Sequence, residues 1–251
     1  MSSGVEESRT TPWVPARPGG VGALTSWTAP DGSPRLASSG TDGTIQIWDP
    51  EQGVALGAPL EGQTAGVWTL LTWTWSGGRL LVSADEDGVI RTWDPDTGAP
   101  VGQPLAAHTG WIRDLTMWNA PDGSPRLASA GVDGYVRIWD PLSGTAVGDP
   151  LVSRRSGLAA VASWRTDAGT RLAVAGDDGL ISVWDPEARL RVGDRQLDHT
   201  TGLWALIAWT LPDGTPRLAS AGNDGTIRIW HPGTGSLVTQ PLRIYRADTL
   251  S

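Results

Sequence analysis

Few of the side chains in this chain of 251 residues could carry out catalysis. It has three histidines, His108, His199 and His231, and it has no cysteine, so thiolate nucleophiles, thiolate metal sites and disulfides are excluded. The sequence contains no phosphate-binding loop, paired-histidine metal motif or nucleophile elbow. Among its 27 acidic residues, Glu86 and Asp177 are candidates for a general acid–base pair. These residues favour binding over catalysis, and they predict no cofactor and no metal.

Tryptophan is the residue type best suited to a binding role, and its spacing reveals a repeat. The chain has 15 tryptophans and no phenylalanine. One series recurs at intervals of 45 or 46 residues: Trp48, Trp93, Trp139, Trp184 and Trp230. Aspartate follows each of the first four, and His231 follows the last. Two further series keep the same register, at Trp27, Trp73, Trp118, Trp164 and Trp209 and at the Asp-Gly pairs that begin at Asp42, Asp87, Asp133, Asp178 and Asp224. This period is typical of a four-stranded propeller blade.

The elements that position these residues can be seen in the third repeat. Residues 135–139 alternate with period two, residues 111–118 have apolar residues at mixed spacing, and residues 126–129 are a short second run. Pro-Asp-Gly and Asp-Gly turns separate these runs, and a weaker fourth run follows Gly144. No segment has sustained helical periodicity. The pattern predicts an all-β chain of five four-stranded antiparallel blades, which must pack on one another because one sheet cannot bury both faces.

On these motifs, above all residues 129–141 and their four counterparts, the chain resembles the WD-repeat β-propeller family over about residues 17 to 242. The resemblance implies a hydrogen-bonded brace in each blade, made by a histidine, a serine or threonine, an aspartate and the repeat tryptophan. Carried over by position, the brace is complete in the third repeat, with His108, Ser129, Asp133 and Trp139. It is also complete in the fifth, with His199, Ser220, Asp224 and Trp230.

The other three braces depart from the family pattern. The histidine position holds Arg17, Gln63 and Arg154 in the first, second and fourth repeats, and the fourth has Val174 in place of serine. Because a partial buried network is weaker than a complete one, we expect the fourth blade to be the least rigid.

The repeats predict domain boundaries. Residues 1–16 form an N-terminal tail or closing strand, residues 17–242 the propeller, and residues 243–251 a C-terminal tail. The blades span about residues 17–62, 63–107, 108–153, 154–198 and 199–242. Five visible repeats favour a ring of five blades. However, residues 10–15 lie where a fourth strand would precede the first repeat, so a larger array or pairing of two copies through an exposed edge is the alternative.

Composition limits the partners. The net charge of −8 argues against nucleic acid and anionic membranes as partners, and no apolar run approaches a transmembrane length. All 19 basic residues are arginine, which together with abundant Ala, Gly and Pro suggests a bacterial origin. Residues 1–12 lack the apolar core of a signal peptide, so we expect a cytoplasmic protein, as a monomer or an edge-paired homo-oligomer.

The fold implied by the resemblance directs three positions of each repeat to the channel mouth, two in the loop that enters the first strand and one before the Asp-Gly turn. There, Trp68, Trp111 and Trp204 stand where other repeats have glycine or alanine. Arg113, Glu86, Asp177 and Asn223 occupy the same set of positions. Exposed aromatic side chains beside charges are typical of a binding hot spot. The alternative is that the tryptophans plug a narrow five-fold channel. Trp75, at the opposite end of its strand, is interpreted as local packing.

Three functional hypotheses follow. The resemblance implies a non-catalytic protein- or peptide-binding scaffold that uses the mouth face, as the sensor part of a bacterial signalling system. The alternative is a small-ligand or carbohydrate-binding propeller, since flat tryptophan rings can stack on sugars. An enzyme with its site in the channel mouth is the weakest hypothesis.

Overall fold

The computed structural model describes residues 20–152, 157–195, 199 and 202–243, which form 22 β-strands and no helix. Blade 1 contains β1 (Val21–Thr28), β2 (Pro34–Gly40), β3 (Ile45–Asp49) and β4 (Val54–Leu60). Blade 2 contains β5 (Val67–Trp75), β6 (Gly78–Asp85), β7 (Val89–Trp93) and β8 (Leu105–Ala106). Blade 3 contains β9 (Ile112–Asn119), β10 (Pro125–Gly131), β11 (Tyr135–Asp140), β12 (Thr145–Ala146) and β13 (Leu151–Val152). Blade 4 contains β14 (Leu158–Thr166), β15 (Gly169–Gly176), β16 (Ile181–Asp185) and β17 (Leu190–Arg195). Blade 5 contains β18 (Leu203–Thr210), β19 (Pro216–Gly222), β20 (Thr226–His231), β21 (Ser236–Leu237) and β22 (Leu242–Arg243).

Each blade is an antiparallel meander in which consecutive strands pair. In blades 3 and 5 the outermost strand is interrupted, so two short pieces pair with the same neighbour: β12 and β13 with β11, and β21 and β22 with β20. The predicted all-β propeller of five four-stranded blades is therefore confirmed. No helix that could span a membrane is found among the described residues.

The Asp-Gly turns between the second and third strands require glycine. In blade 2, Gly88 has a φ of 79°, in the left-handed region. A Cβ on Gly88 would lie 2.1 Å from the carbonyl oxygen of His108 in the next blade. This glycine therefore allows both the turn and the close approach of the following blade.

The core consists of four clusters of buried side chains, one at each junction between consecutive blades. Hydrogen bonds cross some of the same junctions. The hydroxyls of Thr25 and Thr72 are 3.1 Å apart between blades 1 and 2, and those of Thr116 and Ser163 are 2.9 Å apart between blades 3 and 4. The innermost strands β1, β5, β9, β14 and β18 thus pack in sequence, each against the next.

Blades 1 and 5 do not close this series into a ring in the part of the chain that the structure describes. No core cluster joins them, and β18 does not pack against β1 as the other innermost strands pack on their neighbours. Val21 is 57% exposed, whereas its equivalents in the other blades are 0–1% exposed: Val67, Ile112, Leu158 and Leu203. The expected closure by five blades is therefore not met, and the described blades form an open arc. Residues 10–15, the candidate closing strand, lie outside the described residues.

Candidate functional site

A β-bulge at the start of every innermost strand fixes the direction of the candidate site residues. In blade 2, Val67 pairs with Asp85 and Thr69 pairs with Ala84, so Trp68 between them has no partner. The same shift leaves Arg113 unpaired in blade 3 and Trp204 unpaired in blade 5. Because a bulge redirects the unpaired side chain, the repeat places these three residues at the same end of their blades.

The residues that precede the Asp-Gly turns are fixed at the same end by backbone hydrogen bonds. Glu86 N donates to Gly66 O at 3.1 Å, Asp177 N to Gly157 O at 3.1 Å, and Asn223 N to Gly202 O at 3.0 Å. Each of these carbonyls belongs to the segment that enters the innermost strand. Both predicted sets of residues therefore lie on the face that we call the mouth, formed by these bulges and turns.

Trp68 and Trp111 make the largest aromatic surface at the mouth. Their rings stack with centroids 5.8 Å apart and planes inclined by 19°, across the junction of blades 2 and 3. The indole Nε1 of Trp68 donates to Glu86 Oε1 at 2.5 Å. Trp68 remains 40% exposed and Trp111 45% exposed. Stacked rings held by a hydrogen bond and open to solvent form a platform on which a flat or apolar group can lie.

Arg113 and Asp177 form an ion pair across blades 3 and 4. Arg113 Nη1 lies 2.7 Å from Asp177 Oδ1, and the two side chains are 28% and 49% exposed. Because exposed ion pairs contribute only about 0–1 kcal/mol to stability, this one matters more for orienting the two groups than for holding the blades together.

Trp204 and Asn223 form a separate group in blade 5. Trp204 Nε1 donates to Asn223 Oδ1, and Trp204 is 62% exposed. No ring stacking joins Trp204 to the Trp68–Trp111 platform among the described residues. The structure thus brings Trp68, Trp111 and Glu86 together, pairs Arg113 with Asp177, and pairs Trp204 with Asn223.

Packing requires one glycine at the mouth, Gly22, and leaves little room for a side chain at two others, Gly157 and Gly202, which the pattern of the repeats does not reveal. A Cβ on Gly22, the bulge residue of blade 1, would lie 2.2 Å from Val67 O. A Cβ on Gly202 would lie 3.1 Å from Asp177 O, and one on Gly157 would lie 3.0 Å from Asp177 Oδ2. The contrast between tryptophan and glycine therefore partly reflects where neighbouring blades leave room for a side chain.

The braces of blades 3 and 5 have the bonds that the resemblance implies. His108 Nδ1 lies 2.8 Å from Asp133 Oδ1 and His108 Nε2 lies 2.7 Å from Ser129 Oγ, which accepts a hydrogen bond from Trp139 Nε1 at 3.0 Å. In blade 5, His199 is 2.8 Å from Ser220 Oγ, which accepts from Trp230 at 2.9 Å. His199 also lies 3.0 Å from an oxygen of Asp224.

Burial and hydrogen bonding shift the pKa values of these braces in opposite directions. Burial lowers the pKa of His108, which favours the neutral ring, while Asp133 opposes that shift. For Asp224, burial raises the pKa, but hydrogen bonds from Thr226 and His199 outweigh burial and lower the pKa to about 2. The aspartate therefore stays ionised at neutral pH in both braces, and in blade 3 Asp133, whose pKa is also lowered, lies beside an imidazole with a lowered pKa.

Blade 2 has a different brace, which the repeat pattern did not predict. Gln63 Nε2 donates to Ser83 Oγ at 3.0 Å, and Ser83 accepts from Trp93 Nε1 at 3.2 Å. The buried acid is Asp85, which accepts from Arg91 Nη1 at 2.9 Å and from the backbone N–H of Val89 at 2.9 Å. The signal was present, because blade 3 has a glycine at this position and blade 2 has an acid.

In contrast, the turn residue Asp87 accepts a hydrogen bond from Thr64 Oγ1 at 2.9 Å and remains at the surface. The periodic Asp-Gly pair therefore identifies the turn in blade 2, but not the residue that completes its brace.

In blades 1 and 4 the repeat tryptophan donates a hydrogen bond to a serine. Trp48 Nε1 donates to Ser38 Oγ at 2.8 Å, and Trp184 Nε1 donates to Ser182 Oγ at 2.9 Å on its own strand. Both rings are half-buried, whereas the tryptophans of the other three blades are buried. Val174 occupies the serine position of blade 4 and is buried. Arg17 and Arg154 lie outside the described residues.

One acid close to the mouth was also not predicted. Asp114 follows Arg113 in β9 and accepts backbone N–H groups from Leu115 and from Val161 in the next blade, each at 2.8 Å. Removal from water raises the pKa of Asp114 to about 7, and the two hydrogen bonds oppose that shift. Blades 1, 4 and 5 have alanine here, which was the available signal.

Two other features of the described residues bear on binding. No group of three or more histidine, aspartate or glutamate side chains is arranged there to hold a metal ion. A groove of about 1190 Å³ lies between blades 1 and 2, lined by the β1–β2 turn and the segments 56–62 and 91–104. The groove includes none of the mouth residues.

Comparison with known proteins agrees with this architecture. The family described as "WD domain, G-beta repeat" matches residues 18–49, 56–94, 99–140 and 195–231, more than half of the chain. Residues 141–194, which include most of the fourth repeat, lie outside these four ranges. The search of curated proteins finds no match.

Among solved structures, the crystal structure of the computationally designed Ika8 protein is similar, with a TM-score of 0.66 and 24% sequence identity. The alignment covers 87% of this chain and 60% of the designed chain, so this chain spans less than two thirds of the designed protein. This likeness supports the fold alone. From the repeat matches and the five four-stranded sheets, we conclude that the chain belongs to the WD domain, G-beta repeat family.

Proposed function

We propose that the chain is a non-catalytic scaffold that binds a protein or peptide segment at its mouth. Propellers with WD repeats usually mediate protein interactions, which supports the general class. The observation that carries the specific proposal is the stacked pair of Trp68 and Trp111, exposed to solvent and fixed by Glu86.

The platform has the properties of a preorganised hot spot. Tryptophan and arginine are enriched in hot spots, and both lie here on adjoining blades. Because Trp68 is already held by stacking and by Glu86, little side-chain entropy would be lost when a partner binds. The alternative function as a channel plug requires buried rings, but Trp68 and Trp111 are 40% and 45% exposed.

The charges around the platform favour a particular ligand chemistry. Glu86 and Asp177 carry negative charge at the mouth, and Arg113 neutralises part of it through its ion pair. The face of an indole attracts a guanidinium or ammonium group. We therefore propose a partner segment that presents an arginine or lysine side chain to the tryptophans, with its charge directed to the carboxylates.

A peptide-display selection on the immobilised chain tests this function. We expect enrichment of peptides with arginine or lysine, which the Trp111→Ala variant fails to retain. Trp75→Ala is the matched control, since Trp75 is at the other end of the strand that carries Trp68, and it should retain the peptides. A natural chain that enriches no peptide above background would contradict the proposal.

The same exposed rings are the observation that favours the second candidate, a carbohydrate-binding propeller. Calorimetric titration with mono- and oligosaccharides distinguishes the two: the peptide proposal predicts no heat of binding, and a saturable signal lost in Trp111→Ala would favour the sugar. A role as the sensor part of a bacterial signalling system extends the first proposal, and it rests on the family resemblance and composition alone.

A further inference from the structure

We propose that the open faces of blades 1 and 5 are the two halves of one blade–blade interface, through which a second copy of this chain docks head to tail. Blade 5 of one copy would meet blade 1 of the other as consecutive blades meet within the chain. The proposal is independent of the function of the mouth.

The first half of the interface is the face of β1. Val21 and Leu24 are 57% and 60% exposed. In blades 2, 3 and 4 the residues equivalent to Leu24 are buried by the preceding blade: Leu70, Leu115 and Val161. The residue equivalent to Val21 is buried in all four later blades. Blade 1 therefore carries the apolar side chains of a receiving face without a preceding blade among the described residues to cover them.

The second half is the face of blade 5 that would contact a following blade. Ile207 in β18 is 62% exposed. In β20, Ile227 is partly exposed, whereas its equivalents in blades 1 to 4 are fully buried: Ile45, Ile90, Val136 and Ile181. Ala219 in β19 follows the same pattern, since its equivalents are 0% exposed: Ala37, Val82, Ala128 and Ala173.

The four internal junctions show how these halves fit. At each internal junction, the residue equivalent to Thr25 in one blade faces the residue equivalent to Ser26 in the next blade. Two of these pairs are hydrogen-bonded: Thr25 with Thr72, and Thr116 with Ser163. At the remaining junctions the corresponding pairs are apolar and share a core cluster: Leu71 with Met117, and Ala162 with Ala208. The register of a fifth junction is therefore known, and it places Ile207 of one copy against Ser26 and Leu24 of another.

A partner that docks on the open face of blade 1 must present a face like that of blade 5, and a partner on blade 5 must present a face like that of blade 1. A second copy of this chain has both faces. The exposed side chains named on the two faces are uncharged, like the side chains of the core clusters at the internal junctions, so the docking is apolar. An uncovered end of a repeat array normally needs a polar face for solubility, whereas Val21, Leu24 and Ile207 present large apolar side chains on these two faces. Pairing of outer strand edges would leave both faces in water. A heterologous contact of this kind closes a ring or extends a chain of copies, according to its angle.

Molar mass measured by sedimentation over a range of concentrations tests the proposal. The natural chain should reach at least twice 26.4 kDa, the mass of one chain. Leu24→Arg and Ile207→Arg should each return it to the mass of one chain, because each spoils one half of the junction. An equimolar mixture of the two variants should regain twice that mass, since one intact face remains on each.

Leu190→Arg is the matched control, because Leu190 is similarly exposed but lies on the outer strand of blade 4. It should assemble as the natural chain does. If the natural chain keeps the mass of one chain at every concentration, the proposal is overturned without recourse to any variant. It is also overturned if Leu190→Arg abolishes assembly while the two face variants do not, which would indicate edge pairing.

Discussion

Trp68 of blade 2 stacks on Trp111 of blade 3, with ring centroids 5.8 Å apart, although 43 positions separate them in the sequence. The contact depends on two different local features: Trp68 is the bulge residue of β5, and Trp111 precedes the first residue of β9. Neither position would bring the rings together without the packing of β5 against β9. The platform is therefore a property of the blade junction and not of a single repeat.

Truncation of the repeat tryptophan should destabilise blade 3 more than blade 4. Trp139 is buried and bonded to Ser129 within a complete brace, whereas Trp184 is half-buried and donates its hydrogen bond along its own strand to Ser182. We expect Trp139→Ala to lower the free energy of unfolding by about 3–5 kcal/mol and Trp184→Ala by less. Denaturant titration of both variants measures this, and equal losses would show that the brace adds nothing.

In blade 2 the acid that matters for stability should be Asp85. Asp85→Ala removes the acceptor of the backbone N–H of Val89 and one of the two acceptors of Arg91 Nη1, which keeps Gln63 Oε1, so we expect a cost of about 1–3 kcal/mol. Asp87→Ala removes only a surface bond to Thr64 and should cost less than about 1 kcal/mol. Melting temperatures of the two variants test this prediction. A larger loss in Asp87→Ala than in Asp85→Ala would refute the brace assigned to blade 2.

Asp114 should make stability fall as pH rises from about 4 to 7. Its pKa in the folded chain is raised to about 7. As pH rises over this window, the carboxyl therefore ionises first in the unfolded chain, which stabilises the unfolded chain relative to the folded one. The folded chain thereby loses a few kcal/mol of stability, since a tenfold change in proton affinity corresponds to about 1.4 kcal/mol. The variant Asp114→Ala introduces the alanine that blades 1, 4 and 5 have at this position. It should reduce the difference between the melting temperatures at pH 4 and pH 8. An unchanged difference would place the effect elsewhere.

Blade 1 should not tolerate a side chain at its bulge. A Cβ on Gly22 would lie 2.2 Å from Val67 O, a backbone atom of the next blade. We expect Gly22→Ala to destabilise by about 1–3 kcal/mol, the usual cost of overpacking. The control is Gly32→Ala, at a turn where no atom lies within 4 Å of the added Cβ but φ is 84°. If Gly22→Ala costs no more than this control, the close approach of the blades is not limiting.

The repeat made the blades predictable, because each is specified by local signals that recur with Trp48 and its equivalents. Closure was not predictable from the same signals. It depends on the angle between blades, which small differences in the residues packed at each junction determine. Exposed Val21 and Leu24 have the same apolar character as their buried equivalents, such as Val67 and Leu70, so the sequence alone could not separate an open arc from a ring.

For the candidate site, the sequence could predict which residues share the mouth, since the strand order of every blade sets their end. It could not predict their pairing. Whether Trp204 joins the platform of Trp68 and Trp111 depends on the angles between the blades. In this structure Trp204 donates a hydrogen bond to Asn223 instead. Asp85 was not predicted because its position breaks the repeat, whereas the aspartates that keep the repeat belong to the Asp-Gly turns.

The measurement that tests the mouth most directly is the affinity of a selected basic peptide for the natural chain, Trp111→Ala and Arg113→Ala, with melting temperatures of all three. We expect each variant to weaken binding by about 1–4 kcal/mol, the range for truncated hot-spot residues. Neither residue belongs to a brace, so their melting temperatures should stay close to that of the natural chain. Unchanged affinity together with lowered melting temperatures would contradict the account and show that the tryptophans serve packing alone.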